Sequence, residues 1–93
     1  MQNMTLEQLR ATAAAGGVAG VTLKGQGGAF MLRIATRSGQ DAVLAKARST
    51  EPRRFGNPAS AMILLREVGI AVAQLDATDW NPDEKDMSRS RSS

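Results

Sequence analysis

The stretch VAGVTLKGQGGAFMLRIAT, residues 18–36, decides the fold. Within it Val21 and Leu23 alternate with Thr22 and Lys24, a Gly25-Gln26-Gly27-Gly28 break follows, and Phe30, Leu32 and Ile34 then alternate with Met31, Arg33 and Ala35. Successive side chains of an extended backbone point to opposite faces, so each run predicts a strand that is apolar on one face only. A glycine-rich break between two such runs predicts a hairpin turn. It does not suit a phosphate-binding loop, which opens a helix and ends in Lys-Ser or Lys-Thr.

Working outward, Arg37-Ser38-Gly39-Gln40-Asp41 reads as a second hairpin loop. A third strand is expected over Ala42 to Arg48, with Val43, Ala45 and Ala47 opposite Leu44, Lys46 and Arg48. Upstream, Thr5 and Gln8 stand at the three-residue offset of a capping box, Leu6, Leu9 and Ala13 share a helical face, and Gly16-Gly17 ends it. Downstream, after a polar connection, Asn57 at the N-cap and Pro58 at the first helical position open a second helix. It is expected to run to Val68, with Gly69 as a left-handed cap and Ile70 to Leu75 as a last strand. The expected class is therefore α+β: an antiparallel meander of three strands, a helix before and after it, and a fourth strand, in the order α-β-β-β-α-β.

A chain of 93 residues suits one modest core. Residues 1–80 are expected to form that single domain. The segment 81–93 is acidic, then rich in serine and arginine, with Met87 as its one apolar residue, and predicts a disordered tail.

Composition narrows the chemistry. There is no cysteine, histidine or tyrosine, which removes disulfides, thiolate metal sites, the commonest general base and every Ser-His or Cys-His nucleophile arrangement. The carboxylates Asp76, Asp79, Asp83, Glu84 and Asp86 lack the spacing and the glycine of a calcium loop. No enzyme, metal, cofactor or small-molecule substrate is expected. The longest weakly polar run, Ala11 to Leu23, is mostly alanine and glycine, so a cytoplasmic protein without membrane partners is expected.

Charge is more informative. Residues 8–66 hold nine cations against Asp41 and Glu51, whereas residues 67–86 hold six anions against Lys85. A basic body followed by an acidic segment suggests either a polyanion-binding surface or a charged self-association surface. Period two sends Lys24, Arg33, Lys46 and Arg48 to the sheet face opposite the apolar one, where they could follow a phosphate backbone of DNA or simply be solvated. Arg53 and Arg54 precede the second helix and could grip an anion there, or be idle while Phe55 staples the helix. On that helix Ile63 points away from the core beside Arg66 and Glu67, as a self-association spot or an ordinary exposed residue. Trp80 either anchors the chain end or offers its indole to a partner.

Three short runs carry a resemblance: Glu51-Pro52-Arg53-Arg54-Phe55, the helix closing in Arg66-Glu67-Val68-Gly69-Ile70, and Asp76-Ala77-Thr78-Asp79-Trp80. Over most of residues 6–82 the chain resembles the ParC family of small partition-associated proteins carried on plasmids and integrative conjugative elements of proteobacteria. The resemblance implies an accessory role in partition or maintenance of a mobile element and no catalytic residues. In architecture, three strands and a helix with a basic sheet face are similar to the arm-site DNA-binding modules of integrases. Two readings follow. In one, a non-enzymatic accessory protein binds DNA, or a DNA-bound partition-complex protein, through Lys24, Arg33, Lys46, Arg48, Arg53 and Arg54. In the other, a protein-interaction or homodimerisation module works through Ile63, Arg66, Trp80 and its edge strands without nucleic acid.

Overall fold

The computed structural model describes residues 2–47 and 51–81. Among them the elements run β1 (Gln2–Met4), α1 (Leu6–Ala14), β2 (Val18–Gly27), β3 (Ala29–Thr36), β4 (Asp41–Leu44), α2 (Pro58–Glu67) and β5 (Gln74–Trp80). The strands form one sheet in the order β1-β4-β3-β2-β5. β2, β3 and β4 make the antiparallel meander that the alternation predicts. β1, however, lies parallel to β4, and β5 parallel to β2, so the α+β sheet is mixed. Only β3 runs against the others. β1-α1-β2 and β4-α2-β5 are therefore parallel crossovers, each passing over two intervening strands, and a crossover of this kind needs a helix to carry the chain back. Both helices lie on one face, where Leu9 of α1 and Ala61 and Leu65 of α2 close over Val21, Leu23, Phe30, Leu32, Ile34 and Leu44.

Local chemistry sets the helix ends. The Thr5 hydroxyl accepts from the Gln8 backbone N–H at 3.2 Å, and the Gln8 side chain accepts from the Thr5 N–H at 2.9 Å, completing the capping box. The Asn57 side chain accepts from the Ala59 N–H at 2.8 Å with Pro58 behind it. Gly69 leaves α2 at φ 92, a conformation that costs an L side chain strain. In the β2–β3 turn Gln26 pairs with Ala29, so the loop is Gly27-Gly28 alone, with Gly27 at φ 62.

Three sequence expectations need correction. β4 buries Ala42 and Leu44, not Val43, because pairing begins at Asp41, with Ala42 opposite Ile34 and Val43 opposite Arg33. A slip of one residue moves every side chain of a strand to the other face. Second, the strand stops at Leu44 rather than running to Arg48. The Ala45 N–H turns to Met4 O at 2.8 Å, Lys46 N–H bonds Glu51 O at 3.0 Å, and the returning chain continues the sheet, with Phe30 and Phe55 exchanging backbone bonds at 2.8 Å. Lys46 therefore leaves the sheet, and Arg48 lies outside the described residues. Third, the last strand is Gln74–Trp80 instead of Ile70 to Leu75. Ile70 is still tied to α2 through its N–H to Leu65 O at 2.8 Å, and residues 71–73 carry the chain across to the free edge of β2. The short β1 gave no periodic signal and was not anticipated. Of the expected tail, residues 82–93 lie outside the described residues. Among the described residues no helix is long and apolar enough to cross a membrane.

Candidate functional site

With both helices on one side, the other face of the sheet is uncovered among the described residues. Register places on it Thr22 and Lys24 of β2, Met31, Arg33 and Ala35 of β3, Asp41 and Val43 of β4, and Gln74 and Asp76 of β5. Parallel pairing of β5 with β2 sets Asp76 beside Lys24, and the ammonium lies 3.2 Å from Asp76 Oδ2 and 3.7 Å from Asp79 Oδ2. One strand further, Arg33 Nη2 lies 3.0 Å from Asp41 Oδ2. Two cations of the expected basic face thus meet three carboxylates. Such exposed pairs contribute little to stability, yet the carboxylates offset the positive charge of both cations on this face.

The acidic strand is held in place by a bulge. Between the Lys24–Asp76 and Gln26–Asp79 pairs, Ala77 and Thr78 oppose Gly25 alone. Asp76 Oδ1 accepts from the Thr78 backbone N–H at 3.0 Å. Hydrogen bonds from Thr78, through its side chain and its N–H, together with the Lys24 ammonium, favour the charged form and pull the Asp76 carboxyl down to about 2. The bulge also brings Trp80 over Phe30, with ring centroids 5.0 Å apart. Gly25 permits this approach: a Cβ there would stand 2.5 Å from Trp80 Cβ. Trp80 is consequently half-buried against the core, its Nε1 without a hydrogen-bond partner.

The uncovered face is shaped as well as charged. A shallow depression of about 700 Å³ runs across it, lined by Thr22, Lys24, Arg33, Ala35, Asp41 and residues 74–78. Thr22, Ala35 and Gln74 also line a second hollow of about 450 Å³, together with Ala19, Gly20, Val72 and Ala73. Val72 is 82% exposed.

The remaining expected residues are scattered. Lys46 pairs with Glu51 at 3.4 Å. The Arg53 guanidinium sits 5.4 Å from the centroid of the Phe55 ring and lines a cleft with Thr5, Leu6 and Glu7 of the first turn of α1, not the start of α2 where an anion grip was expected. Arg54 is exposed and makes no ion pair among the described residues. Ile63, 63% exposed, and Arg66 occupy the outward side of α2, away from the uncovered sheet face. Among the described residues no group of three acidic side chains is placed to hold a metal ion.

Asp41, Gly20 and Val72 were not singled out from sequence as parts of a surface, whereas Asp76 and Asp79 were read as members of the acidic segment without a place on the sheet. The signal for β5 was its two strand-favouring residues, Thr78 and Trp80; period two could not show it, because the bulge sends Asp76 and Trp80 to opposite faces. No protein-family model, curated protein or solved structure matches this chain.

Proposed function

We propose that this chain is a non-enzymatic protein-interaction module whose working surface is the uncovered face of the sheet. The observation that carries the reading is the pairing of Lys24 with Asp76 and Asp79 and of Arg33 with Asp41. A phosphate backbone laid on this face meets three carboxylates and must compete for both cations, whereas phosphate binding draws its free energy from cations that displace condensed counterions. A protein surface of mixed charge has the opposite fit: alternating signs give register and reject wrong partners. The depression beside Val72 supplies the apolar component that such a contact needs. The resemblance to ParC-family proteins suggests the setting, an accessory role in partition or maintenance of a mobile element in the cytoplasm.

A second reading retains DNA but moves it off the sheet, to the segment bearing Lys46, Arg48, Arg53 and Arg54. Arg54, exposed and unpaired among the described residues, favours it. Titration of fluorescent duplex DNA at low and near-physiological salt separates the two. The expected result is that Lys24→Ala with Arg33→Ala leaves any salt-sensitive binding within about twofold of wild type, while Arg53→Ala with Arg54→Ala removes it. A drop of about tenfold or more in the sheet variant, with a shallower salt slope, overturns the protein-interaction reading of this face.

A further inference from the structure

We infer that the partner seated on the uncovered face is a second copy of this chain, docked about a two-fold axis that runs parallel to the strands between β2 and β5. The inference rests on the reading of that face as a docking surface and adds the occupant. It follows from how the two outermost columns of side chains are matched.

On the uncovered face β2 presents Gly20, Thr22 and Lys24 and β5 presents Gln74 and Asp76, while Val72, in the unpaired lead-in to β5, lines the hollow beside Gly20. Thr22 stands beside Gln74 and Lys24 beside Asp76 within one chain. A two-fold axis between the columns exchanges them without changing height along the strands. Asp76 then faces the partner's Lys24, Gln74 faces the partner's Thr22, and Val72 faces the partner's Gly20. Each match is chemically apt. The carboxylate meets an ammonium, so the four charges around the axis alternate in sign and extend the existing pair into a network. Gln74 and Thr22 can exchange hydrogen bonds. Val72, 82% exposed, meets the partner's hollow of about 450 Å³, which Ala19, Gly20, Ala73 and the partner's own Val72 line. Nothing lies within 4 Å of where a Gly20 Cβ would be, so the site has room for an incoming valine.

The alternatives about this sheet fit less well. An axis between β2 and β3 sets Lys24 against the partner's Met31 and Arg33 against the partner's Thr22, so neither cation meets an opposite charge. An edge-to-edge dimer through β5 meets a bulge whose Thr78 N–H is already taken by Asp76, and a bulged, acidic edge resists strand addition. The chosen geometry keeps the strands of the two sheets nearly aligned, the arrangement that twisted sheets adopt when stacked. Being isologous, it closes at two copies. Two strands per copy make a contact near the lower limit of specific interfaces, about 1,000 Å², so association is expected to be weak and concentration-dependent.

Sedimentation velocity across about 10 µM to 1 mM tests it, that range bracketing interfaces of this size. Wild type is expected to shift from monomer to dimer, and both Val72→Asp and Gly20→Leu are expected to weaken the dimer at least tenfold. The Gly20 variant fills its own hollow without a clash, so its circular-dichroism melt should match wild type and exclude misfolding as the cause. Lys24→Glu mixed with Asp76→Lys should associate better than either alone, because opposite charges then meet across the axis. A wild type that stays monomeric throughout overturns the second-copy inference and leaves the face itself to be judged by the DNA titration. A dimer that survives both hollow variants but dissolves on Ile63→Asp moves the contact to α2 and overturns the inference and the face reading together.

Discussion

The two faces of this sheet are built from the same strands and obey different rules. On the covered face Phe30, Leu32, Ile34 and Leu65 are buried almost completely, and the determinant is local: apolar residues at period two and period 3.6. On the uncovered face the determinant is which strand lies beside which. Lys24 and Arg33 are cations by sequence, yet their environment is set by Asp76, fifty-two residues from Lys24, and by Asp41, eight residues from Arg33. Counting charge along a chain locates the ions. It does not give the field, which depends on strand order.

The largest effects of substitution lie on the covered side. Phe30→Ala removes a ring packed against Trp80 and is expected to cost about 3–5 kcal/mol in urea unfolding, with Leu65→Ala at about 2–5 kcal/mol. Gly25→Ala probes the seam between the faces. Its methyl meets Trp80 Cβ, so overpacking of about 1–3 kcal/mol is expected, together with a shifted tryptophan emission as the indole is displaced. On the uncovered side the effects on stability are smaller. Arg33→Met is expected to change unfolding by less than about 1 kcal/mol, because its pair with Asp41 is exposed and screened. A loss as large as that of Leu65→Ala would show that the uncovered face is as much a part of the fold as the covered one.

The least of these effects is a pH dependence. The Asp76 carboxyl is lowered to about 2 in the folded chain from an ordinary 3.8. A lowered folded value means that the stabilisation is fully present above the unfolded value and is lost as pH falls through the folded one. Acid unfolding of wild type should therefore steepen between about pH 4 and 2, and Asp76→Asn should flatten that limb while leaving neutral pH nearly unchanged.

The same division explains what could be read from sequence. The β2–β3 hairpin, the Thr5 capping box and the Asn57-Pro58 start of α2 were legible because each is decided within a few residues. The face of Val43 was misread because a loop one residue tighter than expected shifts the whole of β4. β5 was placed too early because Ile70 and Val72 look like strand residues, whereas the free edge of β2 begins to pair only at Gln74. β1 is three residues long and depends on β4 for its existence. The charge pairing of the uncovered face followed from these placements, so no cation on it could be assigned its partner from sequence. Off that face the cations fare differently: Lys46 pairs with Glu51, Arg53 lies by the Phe55 ring, and Arg54 is exposed with no ion pair among the described residues.

Whether β5 lies along β2 and lends its carboxylates to the uncovered face is read from a carbon-detected NMR titration of the Asp76 carboxyl. The expected midpoint is about 2, rising on Thr78→Val, which removes the side-chain hydrogen bond that contributes most, and on Lys24→Met, which removes a hydrogen bond together with its charge. A midpoint at the ordinary 3.8, unmoved by either substitution, would mean that Asp76 is a free surface carboxylate, that β5 does not hold this register, and that the basic sheet face is open after all.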